Sequence, residues 1–186
     1  VTDRPFRELY EWARGASAAV RREVIDVALA SRSRRDELGG AFRGGPFVYD
    51  IVMDVGAYRD LHRHRRCQQL RQAFSGRLGF ETPEAVIGSG AADLFKTAIR
   101  EAIETARSLP GPAAQYLLPF ASRSRFLFRM DFAEAEYISR LRSGVKGHFS
   151  YRKVAWRMKE KMDQLEPELG RLIQATPPWV EDPLKR

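Results

Sequence analysis

The densest group of chemistry-bearing side chains in this sequence is Arg59-Asp-Leu-His62-Arg63-His64-Arg65-Arg66. Crowding that many cations costs self-repulsion, so such a run is suited to holding an anion. Arginine fits the task because its planar fork grips a phosphate through two hydrogen bonds. On a helix, Arg59 and Arg63 would share one face, four residues apart, and His62 and Arg66 the next. A diphosphate and a nucleic-acid backbone fit such a cluster equally, and a solvated charged helix is the plain alternative. No helix-turn-helix, zinc-knuckle or RNA-binding sheet pattern accompanies it, which weighs against nucleic acid. His62, His64 and His148 make a poor metal set, because a spacing of two diverges on a helix and cations crowd both ring systems. No metal is expected. Cys67 follows Arg66, yet no base accompanies it, and it reads as a buried, inert thiol. No serine–histidine–aspartate triad has local support.

These groups sit in a chain of 186 residues with a net charge of +8, 44% hydrophobic and 11% aromatic. That is the length of one domain with a real core, and the excess of cations favours anionic partners. A single cysteine cannot form an internal disulfide, so a reducing cytoplasm is the expected location. No apolar run reaches the roughly 18 residues of a spanning helix, and no membrane association is expected. The chain opens on Val1, which suggests an excised domain or a processed product.

The elements that must position these residues read as follows. Apolar residues from Arg4 to about Gly40 recur at helical spacing (Phe6, Leu9, Tyr10, then Val20, Val24, Ala28), which predicts two amphipathic helices. Phe47 to Val55 alternates with a period of two and predicts a strand, followed by a helix from Ala57 to about Cys67. Pro83 opens a helix to about Ser108, with a short helix at Ala113–Leu118 beyond it. Arg125 to Asp131 predicts a second strand. Helices follow over Phe132–Leu141 and over Gly147 to about Leu172, the latter kinked near Pro167. A tail from about residue 174 to 186 is expected to be extended and loosely packed. The expected fold is α+β: one helix-dominated domain over 1–186 with a small, mainly antiparallel sheet.

Arg63-His64-Arg65, just past a strand and Ala57-Tyr-Arg-Asp, resembles the arginine-histidine-arginine motif of flavin-dependent thymidylate synthases. Later blocks in the same order strengthen the likeness: Leu118-Pro119, the strand at Arg125–Asp131, Tyr137-Ile-Ser-Arg-Leu141-Arg142, and Gly147-His148-Phe-Ser-Tyr-Arg152. The resemblance spans about residues 44 to 165. It implies methyl transfer from methylenetetrahydrofolate to dUMP through reduced FAD, with NADPH as reductant, in making dTMP. It also implies a tetramer, or pairing with a second similar domain, with sites at the interfaces. By carry-over, Arg63, His64 and Arg65 would contact the flavin. Arg142 would approach the nucleotide as the catalytic guanidinium, and His148 stands at a substrate-side glutamine position.

Several positions depart from the family pattern. The serine position holds Ala73, the asparagine and glutamate positions Leu70 and Arg71, and the following arginine position Ser75. Ser75 is a hydroxyl two residues late and remains a substrate-binding candidate. Gln115 stands for the arginine before leucine-proline, Asp131 for the asparagine ending the strand, and Tyr49 for a histidine. Removing a charged hydrogen bond costs roughly 1–3 kcal/mol, so the nucleotide grip is expected to be weaker than the flavin grip. Two alternatives follow: a catalytically inactive domain with a structural or regulatory role, and nucleic-acid binding through the basic cluster.

Overall fold

A computed structural model describes residues 3–184. The chain divides into two compact units, Val1–Glu37 and Leu38–Arg186. The first holds α1 (Phe6–Gly15) and α2 (Ala18–Ala28), with Ser17 Oγ capping α2 by accepting the Val20 N–H at 3.3 Å. The expected amphipathic pair is there, yet none of its residues is buried.

In the second unit, β1 (Phe47–Asp54), β2 (Gln68–Arg71) and β3 (Arg123–Met130) form an antiparallel sheet in the order β1-β3-β2. Tyr49 lies opposite Phe128 and Ile51 opposite Phe126, so the apolar sets of β1 and β3 share one face. Phe126 and Phe128 are wholly buried there, with Met53 and Met130. Each such side chain contributes roughly 1.5–3 kcal/mol by leaving water. The opposite face exposes Val48, Val52, Leu70 and Leu127, and carries an Arg125–Asp50 ion pair at 2.7 Å.

Helices α3 (Val55–Leu61), α6 (Phe132–Arg142) and α7 (Phe149–Leu165) complete this core, with α7 packed on both α3 and α6. They bury Ala57, Leu61, Ala135, Ile138, Ala155 and Met158. The Tyr58 ring stacks on Phe126 at 4.2 Å. Both strand-to-helix junctions use one device. Asp54 ends β1 and accepts the Ala57 N–H at 2.7 Å, while Asp131 follows β3 and accepts the Glu134 N–H at 2.8 Å. A carboxylate at each N-cap satisfies an orphan donor and favours the dipole. A second apolar cluster joins Ile99, Ile103 and Ala106 of α5 (Ala92–Ser108) to Leu118, Phe74 and Phe80. Gly76, at φ 64°, closes against it, since an added Cβ would lie 2.9 Å from Ile103.

Four expectations change. The helix after β1 stops at Leu61, and the short strand β2, unforeseen, follows. The helix expected from Pro83 breaks into α4 (Glu84–Gly88) and α5, because Gly90 takes φ 77° between them. Residues Pro112–Leu117 form a 3-10 turn rather than an α-helix, and α7 ends at Leu165 ahead of α8 (Pro167–Gly170). The tail is tied down rather than loose. Buried Arg152 donates to the carbonyls of Pro177 and Val180 at 3.2 and 2.8 Å, and Trp179 meets Trp156 edge-on at 5.4 Å.

Burial pushes the Tyr49 phenol up to about 12 from its ordinary 10.0. The Cys67 thiol rises to about 12 from 9.0, through burial first and then the charge of Glu134. Both groups therefore hold their protons in the folded state at pH values where the unfolded chain has released them. Stability is full below the unfolded values and falls as pH climbs toward the folded ones. The urea midpoint is expected to drop between about pH 8 and about pH 11, and Tyr49→Phe to flatten part of that drop. An unchanged slope in the variant would rule Tyr49 out as a cause.

Candidate functional site

The basic cluster does not present one cationic face. Helix α3 ends before it, and its members part company. Arg59 lies over the Phe120 ring at 5.1 Å. Arg63, with 59% of its side chain exposed, pairs with Asp60 at 3.2 Å. Arg65 is exposed and has no partner among the described residues. Arg66 reaches Asp131 at 3.1 Å and Glu134 at 3.7 Å.

His64 turns inward and is only 6% exposed. Its Nε2 accepts a hydrogen bond from Arg142 Nε at 2.9 Å, while Nδ1 lies 3.4 Å from Glu134 Oε1. A guanidinium can only donate, so Nε2 carries no proton and Nδ1 carries the one it offers to Glu134. The Tyr137 ring meets the imidazole edge-on at 5.8 Å. Glu134, Tyr137 and Arg142 all belong to α6, at offsets of three and eight residues that put them on one side of the helix. The result is a chain of contacts, Glu134–His64–Arg142, through otherwise apolar surroundings. Glu134 is 3% exposed, so its charge is held by His64, by Arg66 and by its place in the first turn of α6. Arg142 spends Nε on His64 and lies 5.9 Å from the Tyr151 ring centroid. Its two Nη groups have no hydrogen-bond partner among the described residues and are free to meet an oxyanion.

The other expected site residues are placed apart from this chain of contacts or are engaged locally. His148 is the N-cap of α7, its Nδ1 accepting the Ser150 N–H at 3.4 Å. Ser75 Oγ accepts the Arg77 N–H at 3.4 Å. Leu70 and Ala73 are exposed. Two of the departing positions do meet: Arg71 and Gln115 line one pocket of about 330 Å³ with Phe74, Tyr116 and Phe120. There the Arg71 guanidinium lies 4.7 Å from the Phe74 ring centroid, and Gln115 Oε1 accepts the Phe74 N–H at 3.4 Å. Sequence reasoning missed Glu134, Tyr137 and Tyr151. A signal for Glu134 existed, since an acidic residue three beyond an aspartate N-cap marks a helix start. Its contact with His64, seventy residues away in sequence, leaves no local trace.

The family of thymidylate synthase complementing proteins matches residues 10–168. The chain belongs to that family. It is 32% identical over 148 residues to a UPF0159 protein of Chlamydia muridarum, covering 77% of this chain and 28% of that protein. It is 29% identical over 182 residues to a UPF0159 protein of Thermoplasma acidophilum, covering 89% of this chain and 36% of that one. The chain thus spans 28% to 36% of the length of these curated relatives. Its fold is similar to that of a UMP/dUMP methylase, PolB, from Streptomyces cacaoi, a crystal structure with 5-Br dUMP bound. The TM-score is 0.67 and the identity 17%, covering 87% of this chain and 84% of that one.

His64→Ala removes a buried ring and strands the Glu134 carboxylate, so it is expected to cost about 2–4 kcal/mol. His148→Ala removes only a cap and is expected to cost about 1 kcal/mol. Urea unfolding at constant m-value separates the two, and equal destabilisation would refute the ranking of His64 over His148.

Proposed function

We propose that this chain is a unit of a flavin-dependent thymidylate synthase, binding FAD and a uracil nucleotide for methyl transfer to the nucleotide. The observation that carries the reading is the clamped Arg142, held through Nε with its Nη groups uncommitted, beside the exposed Arg63 and Arg65. Membership of the thymidylate synthase complementing family supports it. So does the fold shared with a UMP/dUMP methylase.

The residues present suit a flavin diphosphate. Arg63 is held only by a solvent-exposed pair with Asp60, and Arg65 by no described partner, so both can turn to phosphate at little cost. His64 takes a different part from a direct flavin contact. Both its ring nitrogens are engaged inside the protein, and it fixes the direction of Arg142. A bound flavin, once reduced, mediates the methyl transfer. Arg142 stabilises negative charge that develops on the uracil ring or grips the nucleotide phosphate, and its fixed direction means little reorganisation is needed. The remaining participants on this reading are dUMP, methylenetetrahydrofolate and NADPH. A tetramer or a second similar domain would supply the hydroxyl and cation missing at Ala73 and Ser75.

A second reading is favoured by one observation. Asp131 and Glu134 bring two carboxylates to the N-terminus of α6, where they neutralise Arg66. A unit built this way could keep flavin and leave nucleotide chemistry to its neighbour, serving a structural or regulatory role.

Visible absorption of FAD, titrated with the protein and then with dUMP, tests both. Arg65→Ala is expected to weaken FAD about tenfold or more, since a charged hydrogen bond contributes about 1.5–3 kcal/mol. Arg142→Ala should leave FAD binding intact and abolish the dUMP-induced spectral change. A dUMP response that survives Arg142→Ala would sink the first reading. Flavin binding with no dUMP response in the unaltered chain would establish the second.

A further inference from the structure

Strand β1 lies at the edge of the sheet. Among the described residues its backbone bonds to β3 and to no other segment. Beside that free edge run two adjoining clefts of about 530 and 330 Å³. Tyr49 to Asp54 line the first in unbroken succession, and Phe47 to Asp50 line the second. Consecutive residues of a strand point to opposite faces, so a cleft touching all of them follows the strand's edge. The facing wall is α7. Lining positions 150, 153, 154, 157, 158, 161, 162 and 165 trace one face of that helix. Asp54 bonds to Ser150 at one end and Phe47 shares a cleft with Leu165 at the other, so α7 runs opposite to β1 along the whole groove.

The groove carries apolar and charged surface in register. Val154, Met158 and Met162 form its apolar part, with Lys153, Arg157 and Lys161 alongside. Its own carboxylates are already engaged. Asp50 pairs with Arg125, Asp54 caps α3 and binds Ser150, and Glu81 is shared by Arg123 and Lys153. Glu81 is held below the usual carboxylate range, because hydrogen bonds from Lys153 and Arg123 outweigh the upward push of burial. Arg157 and Lys161 are left without a carboxylate. The Tyr49 hydroxyl lies buried with no partner. Helix residues four apart are about 6 Å apart along the axis, and strand residues two apart are about 6.6–6.8 Å apart. Alternate side chains of an extended segment therefore keep step with Lys153, Arg157 and Lys161. β1 also lacks the lysine and proline that usually blunt an edge.

We propose that this groove takes an extended acidic segment of a partner protein, added as a further strand on β1. Main-chain hydrogen bonds to the β1 edge give it affinity. Its alternate carboxylates meet Arg157 and Lys161, and its intervening apolar side chains rest on the Met158 and Met162 side.

The test uses the whole chain and a fluorescent peptide of about eight residues alternating valine and glutamate, beside its lysine counterpart. The acidic peptide is expected to bind and to slow hydrogen exchange at the β1 amides, while the lysine peptide does neither. Arg157→Glu combined with Lys161→Glu is expected to weaken binding about tenfold or more. Both side chains are exposed, so the urea midpoint should stay close to that of the unaltered chain. Failure of the acidic peptide to bind, equal binding of both peptides, or binding without β1 protection would overturn the proposal. Concentration-dependent protection of β1 without peptide would assign the groove to a second copy, and overturn it as well.

Discussion

A neutral imidazole clamped between a buried carboxylate and a guanidinium sets the terms for this site. His64 belongs to the loop after α3, whereas Glu134 and Arg142 belong to α6. Each end of the clamp constrains the other. Glu134 needs a donor because burial makes an unpaired carboxylate expensive, and His64 supplies it only in the tautomer that leaves Nε2 open. That open nitrogen takes the Arg142 Nε–H, which fixes the guanidinium plane and leaves its outer nitrogens uncommitted. The arginine cluster around His64 must then fan outward, since its central member has turned in. A motif that looks like a strip of cations is in this chain one inward anchor flanked by surface arginines.

The anchor works because the elements behind it are held at their origins. Each of the two long strands leads into a helix through an aspartate cap, Asp54 into α3 and Asp131 into α6. Asp54 also receives the Ser150 hydroxyl at the start of α7. Three helix N-termini thus depend on two carboxylates. Asp131 does further duty by binding Arg66, which brings a cation next to Glu134 without placing one on His64. Arg152 performs the equivalent task at the far end: a buried guanidinium with carbonyl partners, tying α7 to Ser143 and to the C-terminal segment.

The strands and most helices were legible because their signals are periodic and local. Phe47–Asp54 and Arg123–Met130 alternate with a period of two, and Phe132–Arg142 repeats with a helical period. β2 was not legible. Gln68–Arg71 holds one apolar residue in four, and it forms only because β3 offers an edge beside it. The break at Gly90 was hidden by continuous helical spacing on both sides. For the site, the arginine-histidine-arginine triplet and Arg142 could be picked out by type and order. That His64 would be buried could not, because its partners are Glu134 and Arg142, and only packing brings them together. The tail misled for a similar reason: its proline-rich composition reads as loose, while its carbonyls are bound by a buried arginine.

The departures at residues 70–75 and 115 look in sequence like a plain removal of donors. In space they are partly an exchange. The position before Leu118-Pro119 gives up a guanidinium for the neutral Gln115 amide, whose oxygen is engaged by the Phe74 N–H. Across the same pocket Arg71 brings a guanidinium to a position where the family pattern has a carboxylate, and it lies against Phe74. The pocket therefore loses one cation on one wall and, on the other, gains one in place of an anion. Counting charges, those two substitutions leave the local balance no less positive than the family pattern would. They also move the donor from a 3-10 turn to the last residue of a sheet strand, a stiffer support. What has gone is the hydroxyl at Ala73, together with the backing of an asparagine at Leu70, and neither has a substitute within hydrogen-bonding reach on β2. The altered grip is thus one of geometry more than of net charge, and a ligand fitted to it would need to meet a cation stacked on an aromatic ring.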